Sequence, residues 1–127
     1  MKKIKVIIKR PDEPVGHVSW ISDSLNNLQG IVGGLIEPVP VDPSTFESGC
    51  DGVLVICNEE GKFQDLPRNF GIRKYYGPGM GWFEADYIAG TAIVCGTKGT
   101  EFSNIPITIE EWKRVMTSGH IRMKWHF

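Results

Sequence analysis

The chain has 127 residues, of which 41% are hydrophobic and 23% charged, close to the average of globular domains. That length fits one domain with one core, burying roughly two-thirds of the surface its unfolded chain exposes. Fourteen basic against fifteen acidic residues leave a formal net charge of -1, without the positive excess that non-specific nucleic-acid binding draws on.

No apolar run approaches the ~20 residues of a membrane-spanning helix. The chain begins with lysines, but its apolar stretch is too short for a signal peptide, and charge resumes at Lys9 and Arg10. A cytoplasmic protein is expected. Cys50, Cys57 and Cys95 are odd in number and not densely spaced, which argues against a disulfide framework. Cys57 and Cys95 lie in apolar runs and read as buried free thiols.

Residues 4–10 alternate, with Ile4, Val6 and Ile8 pointing one way and Lys5 and Lys9 the other. This predicts a half-buried strand. Pro11-Asp12-Glu13-Pro14 forces a turn, and residues 17–22 return as the hairpin partner. Asp23 or Ser24 caps a short helix in which Leu25, Leu28, Ile31 and Val32 share a face. Gly33-Gly34 ends that helix, because glycine accepts the left-handed C-cap conformation. Residues 35–41 form a strand whose Pro38 and Pro40 keep their missing donors on one side, so it belongs at a sheet edge.

Residues 42–51 read as a polar loop. Residues 53–57 are apolar and rich in β-branched side chains, which predicts a central strand covered on both faces. Asn58-Glu59-Glu60-Gly61 is the turn at its end, and residues 62–66 are expected to continue as a paired strand. Leu66-Pro67-Arg68-Asn69 opens a less regular region. Residues 75–82 hold three glycines and a proline and form a loop. Residues 87–95 are the second apolar strand, with Gly90 marking a bulge or a close backbone approach.

Thr108 and Glu111 make a capping box for the clearest helix, and Ile107 with Trp112 makes a hydrophobic staple. Ile109, Trp112 and Met116 share its face, and Gly119 ends it. Residues 121–127 alternate without a fault, Ile121, Met123, Trp125 and Phe127 against Arg122, Lys124 and His126. That predicts an amphipathic strand, closing the sheet of its own chain or serving an oligomer interface by joining a neighbour's edge. The elements together predict a single α+β domain over residues 1–127. Its sheet is mixed or antiparallel, of about six strands, with two short helices packed on it.

The leading chemical candidate is the polar cluster that follows the strand at 53–57. Asn58, Glu59, Lys62, Arg68 and Asn69 combine amides, a carboxylate and two cations. Such a set suits a base edge, a ribose hydroxyl and a phosphate together, though the same residues also make an ordinary solvated turn. Tyr75 and Trp82 flank the glycine loop and are candidate stacking partners for a planar ring. Gly77-Pro78-Gly79-Met80-Gly81 lacks the spacing of a phosphate-binding motif and reads as a flexible loop or a lid. His17, His120 and His126 have no ligand spacing, and no Cys-x-x-Cys is present, so neither a metal nor a cofactor is expected.

Four segments carry a family resemblance. They are LNNLQGIVGGLIE from Leu25, VLVICNEEGK from Val53, LPRN from Leu66 and DYIAGTAIVCG from Asp86. Their order and spacing resemble the Domain of Unknown Function 3846 family from Leu25 to about Trp112. That family follows Leu-Pro-x-Asn with an arginine; here Phe70 takes the place and Arg73 lies further on. The resemblance implies a phage or mobile-element protein acting in a bacterial host cell, with no established enzymatic activity. It also marks residues 71–84 and the tail after Gly119 as additions to a common core.

The expectation is an accessory protein that binds and sequesters a small nucleotide immune signal, of the cyclic nucleotide or cyclic ADP-ribose type. A homo-oligomer would suit that role, because symmetric interfaces build composite pockets. A protein-binding inhibitor of a host enzyme is the first alternative, using the tail and the two-proline edge strand. A nucleotide hydrolase with Glu59 or Glu60 as base is the second.

Overall fold

The computed structural model describes residues 2–124. In chain order the elements are β1 (Lys3–Lys9), β2 (His17–Ser22), α1 (Leu25–Val32), β3 (Ile36–Pro40), β4 (Val53–Asn58), β5 (Arg68–Tyr75), β6 (Trp82–Ala89), β7 (Ala92–Lys98), β8 (Glu101–Ser103) and α2 (Ile109–Ser118). The main sheet runs β2-β1-β7-β4-β3, with β8 paired to β7, while β5 and β6 form a separate two-stranded sheet. All of these pairings are antiparallel. The fold is α+β, as the alternation of apolar residues predicted.

Side chains alternate across a strand, so a strand interior to a covered sheet feeds two cores. On one face Ile4, Val6 and Ile8 meet Ile56, Ile93 and Cys95 beneath Leu28 and Val32 of α1. On the other, Ile7, Val55, Cys57 and Val94 meet Phe70, Ile72 and Ile88 of the β5–β6 hairpin and Trp112 of α2. Trp112 is fully buried, and its indole N–H donates to the Val15 carbonyl at 2.9 Å. Phe70 meets it edge-on with ring centroids 5.9 Å apart, the arrangement the ring quadrupoles favour.

Local signals hold well. Ser24 Oγ caps α1 by accepting from the Asn27 N–H, and Gly33 ends the helix at φ +82°. Leu25 is exposed, however. It occupies the first helical position, where its side chain leans back past the helix start. Pro38 and Pro40 lie on β3, the edge strand. At α2, Thr108 Oγ1 accepts from the Glu111 N–H at 3.1 Å. The reciprocal half of the capping box is not made: the buried Glu111 carboxylate accepts from the Ser48 N–H at 3.0 Å and the Ser48 hydroxyl at 3.1 Å.

Several expectations are corrected. Residues 87–95 are not one strand. Gly90 takes φ +81°, and a Cβ there would lie 2.8 Å from Leu66 Cδ1. At this corner the chain leaves the hairpin and enters the main sheet as β7, between β1 and β4. An unbroken apolar run cannot tell one buried strand from two.

Residues 62–66 do not continue as a strand either. They coil through turns closed by Gln64 N–H to the Glu60 carbonyl and Leu66 N–H to the Gly61 carbonyl, both at 3.0 Å. The region after Pro67 is regular: it is β5, with Phe70 and Ile72 turned inward. Two register shifts interrupt its ladder with β6. Residues 71–84 are therefore mostly hairpin, with the loop confined to its tip. Lys9 turns inward as well and is only 3% exposed, because β1 is covered on its second face near the hairpin.

The described part of the tail packs on its own chain. Ile121 and Met123 are buried. Met123 makes an isolated bridge with Val41, and the Lys124 N–H donates to the Pro40 carbonyl at 2.9 Å. The rest of the expected 121–127 strand, Trp125, His126 and Phe127, lies outside the described residues. No described helix is long and apolar enough to cross a membrane.

Candidate functional site

β4 delivers Asn58 to the end of the sheet, below the C-terminus of α1. There Asn58 is buried, and its amide N–H groups donate to the Val32 carbonyl at 3.3 Å and to Gln64 Oε1 at 3.1 Å. Its Oδ1 accepts from the Glu60 N–H at 2.8 Å. Both amide protons are thus spent on holding the turn, and Asn58 acts as its scaffold. Asn69 is engaged in the same way. Its Nδ2 donates to the Lys9 and Gly90 carbonyls at 2.8 and 2.9 Å, and its Oδ1 accepts from Lys9 Nζ at 2.6 Å. The structure therefore turns two of the expected ligand contacts inward.

Beyond Asn58 the turn and β6 enclose a cavity of about 150 Å³, lined by Glu37, Cys57, Glu59, Lys62, Phe63, Asp86 and Tyr87 among others. The Lys62 ammonium pairs with the Asp86 carboxylate and lies 5.0 Å from the centroid of the Tyr87 ring. Arg68 reaches the same ring at 5.3 Å and forks onto Glu84, with Nη1 2.7 Å from Oε2. Phe63 stands at the cavity wall 90% exposed.

Gly71 makes this arrangement possible. It pairs with Tyr87 across the hairpin. A Cβ on Gly71 would overlap the Glu84 carboxylate and meet Arg68 Nη2 at 2.8 Å. The Arg68 hydrogen bond, helped by the charges of Arg68 and Arg73, holds the Glu84 carboxyl below its ordinary range. Exposed ion pairs of this kind add at most about 1 kcal/mol of stability. Their cations can therefore exchange partners with an anionic ligand at small cost.

Cys57 faces the cavity but is chemically quiet. Burial, reinforced by the nearby Glu37 carboxylate, pushes its thiol up to about 12. The nucleophile is the thiolate, so at neutral pH this sulfur does not attack. Among the described residues no three of His, Cys, Asp and Glu gather as metal ligands.

Tyr75 and Trp82 sit elsewhere. They pair at the far end of the hairpin, with ring centroids 5.2 Å apart, while Arg68 pairs with Ala89 at the near end. The two ends are about 20 Å apart along the strands. Arg122 covers Trp82 from 5.0 Å. The expected set thus divides into a cleft pair (Glu59, Lys62) with Arg68 at its rim on the Tyr87 ring, an internal pair (Asn58, Asn69) and a remote aromatic pair. The cleft's other walls, Glu37, Phe63, Asp86 and Tyr87, were not in that set. Asp86 and its partner Lys62 lie 24 residues apart in the chain, beyond any local spacing rule.

Fold and cleft together define a small antiparallel α+β domain with a polar cleft at the end of an interior strand. The chain belongs to the family described as Domain of unknown function (DUF3846), whose sequence model matches residues 4–117. The match begins at the first strand, ahead of the stretch from Leu25 that carried the resemblance. It also runs through the β5–β6 hairpin. No curated protein and no solved structure matches the chain.

Proposed function

We propose that this protein binds a small nucleotide and sequesters it without turnover, as an accessory protein that removes a nucleotide immune signal. The observation that carries this reading is the convergence of Lys62 and Arg68 on the Tyr87 ring at a cavity with the exposed Phe63 on its wall. Aromatic faces take a base, cations take phosphate, and the carboxylates of Glu37 and Glu59 accept from amine or ribose donors. Asn58 and Asn69 serve this site as scaffold. The protonated Cys57 speaks against thiol chemistry in the cleft.

The cavity is below the roughly 300 Å³ at which ligand pockets usually begin. It seats a ring and leaves the rest of a nucleotide over the cations at its mouth. A symmetric oligomer would supply the missing enclosure. The test is thermal melting with a panel of cyclic dinucleotides and cyclic ADP-ribose isomers, on the parent chain and on a Lys62→Ala, Arg68→Ala double variant. A ligand at a hundred times its Kd adds about 2.7 kcal/mol of stability, a shift of several degrees that the double variant loses. Absence of a shift with every compound sinks the reading. Recovery of altered ligand after heating the complex favours hydrolysis instead.

A protein-binding inhibitor is the second reading. It is favoured by the exposed Tyr75, Tyr76, Met80, Trp82 and Phe83 gathered at the hairpin end. Capture of a host enzyme by the parent chain and not by a variant with these aromatics replaced would support it.

A further inference from the structure

Beyond the Arg68–Glu84 pair a groove of about 400 Å³ lies between β5–β6 and the C-terminal end of α2. This volume falls within the range of small-molecule pockets, roughly 300–1,000 Å³. Phe70 and Met116 provide its apolar surface over the buried Ile121, and the exposed Trp82 and Phe83 stand at its edge. Gly71 and Gly119 also line it and present no side chains. Met116 and Gly119 come from the last turn and C-cap of α2, so the groove joins the hairpin to a helix that begins 20 residues after it in the chain.

The charge in this groove is unbalanced. Arg68 and Arg73 both line it together with the single carboxylate of Glu84. Glu84 accepts both arms of Arg68 and stands opposite Arg73 in the ladder. Among the described residues the Arg73 guanidinium makes no hydrogen bond and no ion pair within 4 Å. Two guanidinium groups around one carboxylate leave one net positive charge above an apolar surface. An anionic ligand gains an ion pair with Arg73 there that a neutral one does not.

We infer that this groove is a second binding site, for a flat hydrophobic monoanion whose carboxylate meets Arg73. The guanidinium fork matches a carboxylate with two parallel hydrogen bonds. The aryl body lies against Met116 and Phe70 and meets the Trp82 and Phe83 rings at the edge. This site borders the Lys62–Tyr87 cleft and shares Arg68 with it; its carboxylate contact is Arg73, which the nucleotide reading does not use.

The test titrates the protein with 2-naphthoate and with its neutral isostere 2-naphthamide, following backbone amide shifts and tryptophan fluorescence. The acid should bind about tenfold more tightly than the amide, the factor expected of one charge-assisted hydrogen-bonded pair. Shifts should centre on residues 70–73, 82–84 and 116–121. Arg73→Gln should erase the preference for the acid, and Arg73→Lys, which keeps charge without the fork, should retain part of it. The comparison on the parent chain stands alone if a variant fails to fold. Equal affinity for acid and amide, a preference that survives in Arg73→Gln, or shifts centred on Lys62 and Tyr87 would overturn the assignment.

Discussion

Asn69 holds Lys9 from both ends. Its Oδ1 accepts from the Lys9 ammonium at 2.6 Å, and its Nδ2 donates to the Lys9 backbone carbonyl at 2.8 Å. The same Nδ2 reaches the Gly90 carbonyl at 2.9 Å. One side chain thus ties β1, β5 and the corner where the chain changes sheets. Lys9 is almost wholly buried, and no carboxylate forms an ion pair with it among the described residues.

Asn69→Ala should therefore be costly. It leaves a buried ammonium without its closest acceptor and two carbonyls without their donor. A loss of about 3 kcal/mol is expected, near the penalty for stranding a buried charged partner. Urea denaturation measures it. A loss below about 1 kcal/mol would mean that water reaches Lys9 freely.

Lys9 also predicts a pH dependence. Burial holds its ammonium below the ordinary value of 10.5, against the opposing pull of Glu13 and Asp12. Between the depressed folded value and 10.5 the unfolded chain binds more protons than the folded one. Stability contributed through this group therefore rises with pH across that window. Below it Lys9 is charged in both states and the burial penalty is present in full. Lys9→Met, with no proton to bind there, should lack the rise. Denaturation of both proteins at steps from pH 7 to 10.5 checks this, and parallel curves would refute it.

Gly90→Ala should destabilise more than Gly33→Ala. Both positions have positive φ, +81° and +82°, and each costs an alanine about 1–2 kcal/mol. A Cβ at Gly33 meets nothing within 4 Å, whereas one at Gly90 runs into Leu66. Leu66 Cδ1 is the end of a half-exposed side chain that can turn aside, so thermal melting should place Gly90→Ala below Gly33→Ala by a small margin.

Cysteine labelling should report the fold. Cys57 and Cys95 are buried, and burial pushes both thiols up to about 12. Iodoacetamide at pH 8 should leave both unmodified in the folded protein and reach the partly exposed Cys50 first. In urea all three should react. Mass spectrometry of digested protein reads each site, and early modification of Cys57 would show that the cleft opens further than this structure.

Residues close in sequence wrote much of the fold. Helix caps need one side chain or one glycine at a fixed offset, so Ser24, Gly33, Thr108 and Gly119 were legible. Two prolines at period two named β3 an edge strand, because a missing donor is a local fact. The β1–β2 hairpin followed from alternation around a proline turn. β5 was harder to see, though Phe70, Gly71, Ile72 and Arg73 do alternate, because glycine and charge dilute its apolar signal.

The strand and turn at Val53 to Lys62 show where local information ends. That the strand is interior, and that polar residues leave it at Asn58, was written in five apolar residues and four polar ones. Which of those polar groups face outward was not. Asn58 turned in because the α1 C-terminus and the turn needed its donors, and Asn69 because Lys9 was buried beside it. Lys62 and Arg68 acquired a shared partner in Tyr87 only when β6 folded back against β5. Hydrogen-bond satisfaction and ion pairing act through space, between residues that chain order keeps apart. The sequence alone determined β1 to β4, the two helices and their caps; the tertiary structure decided where the long apolar run divides into two strands and which side chains the cleft would expose.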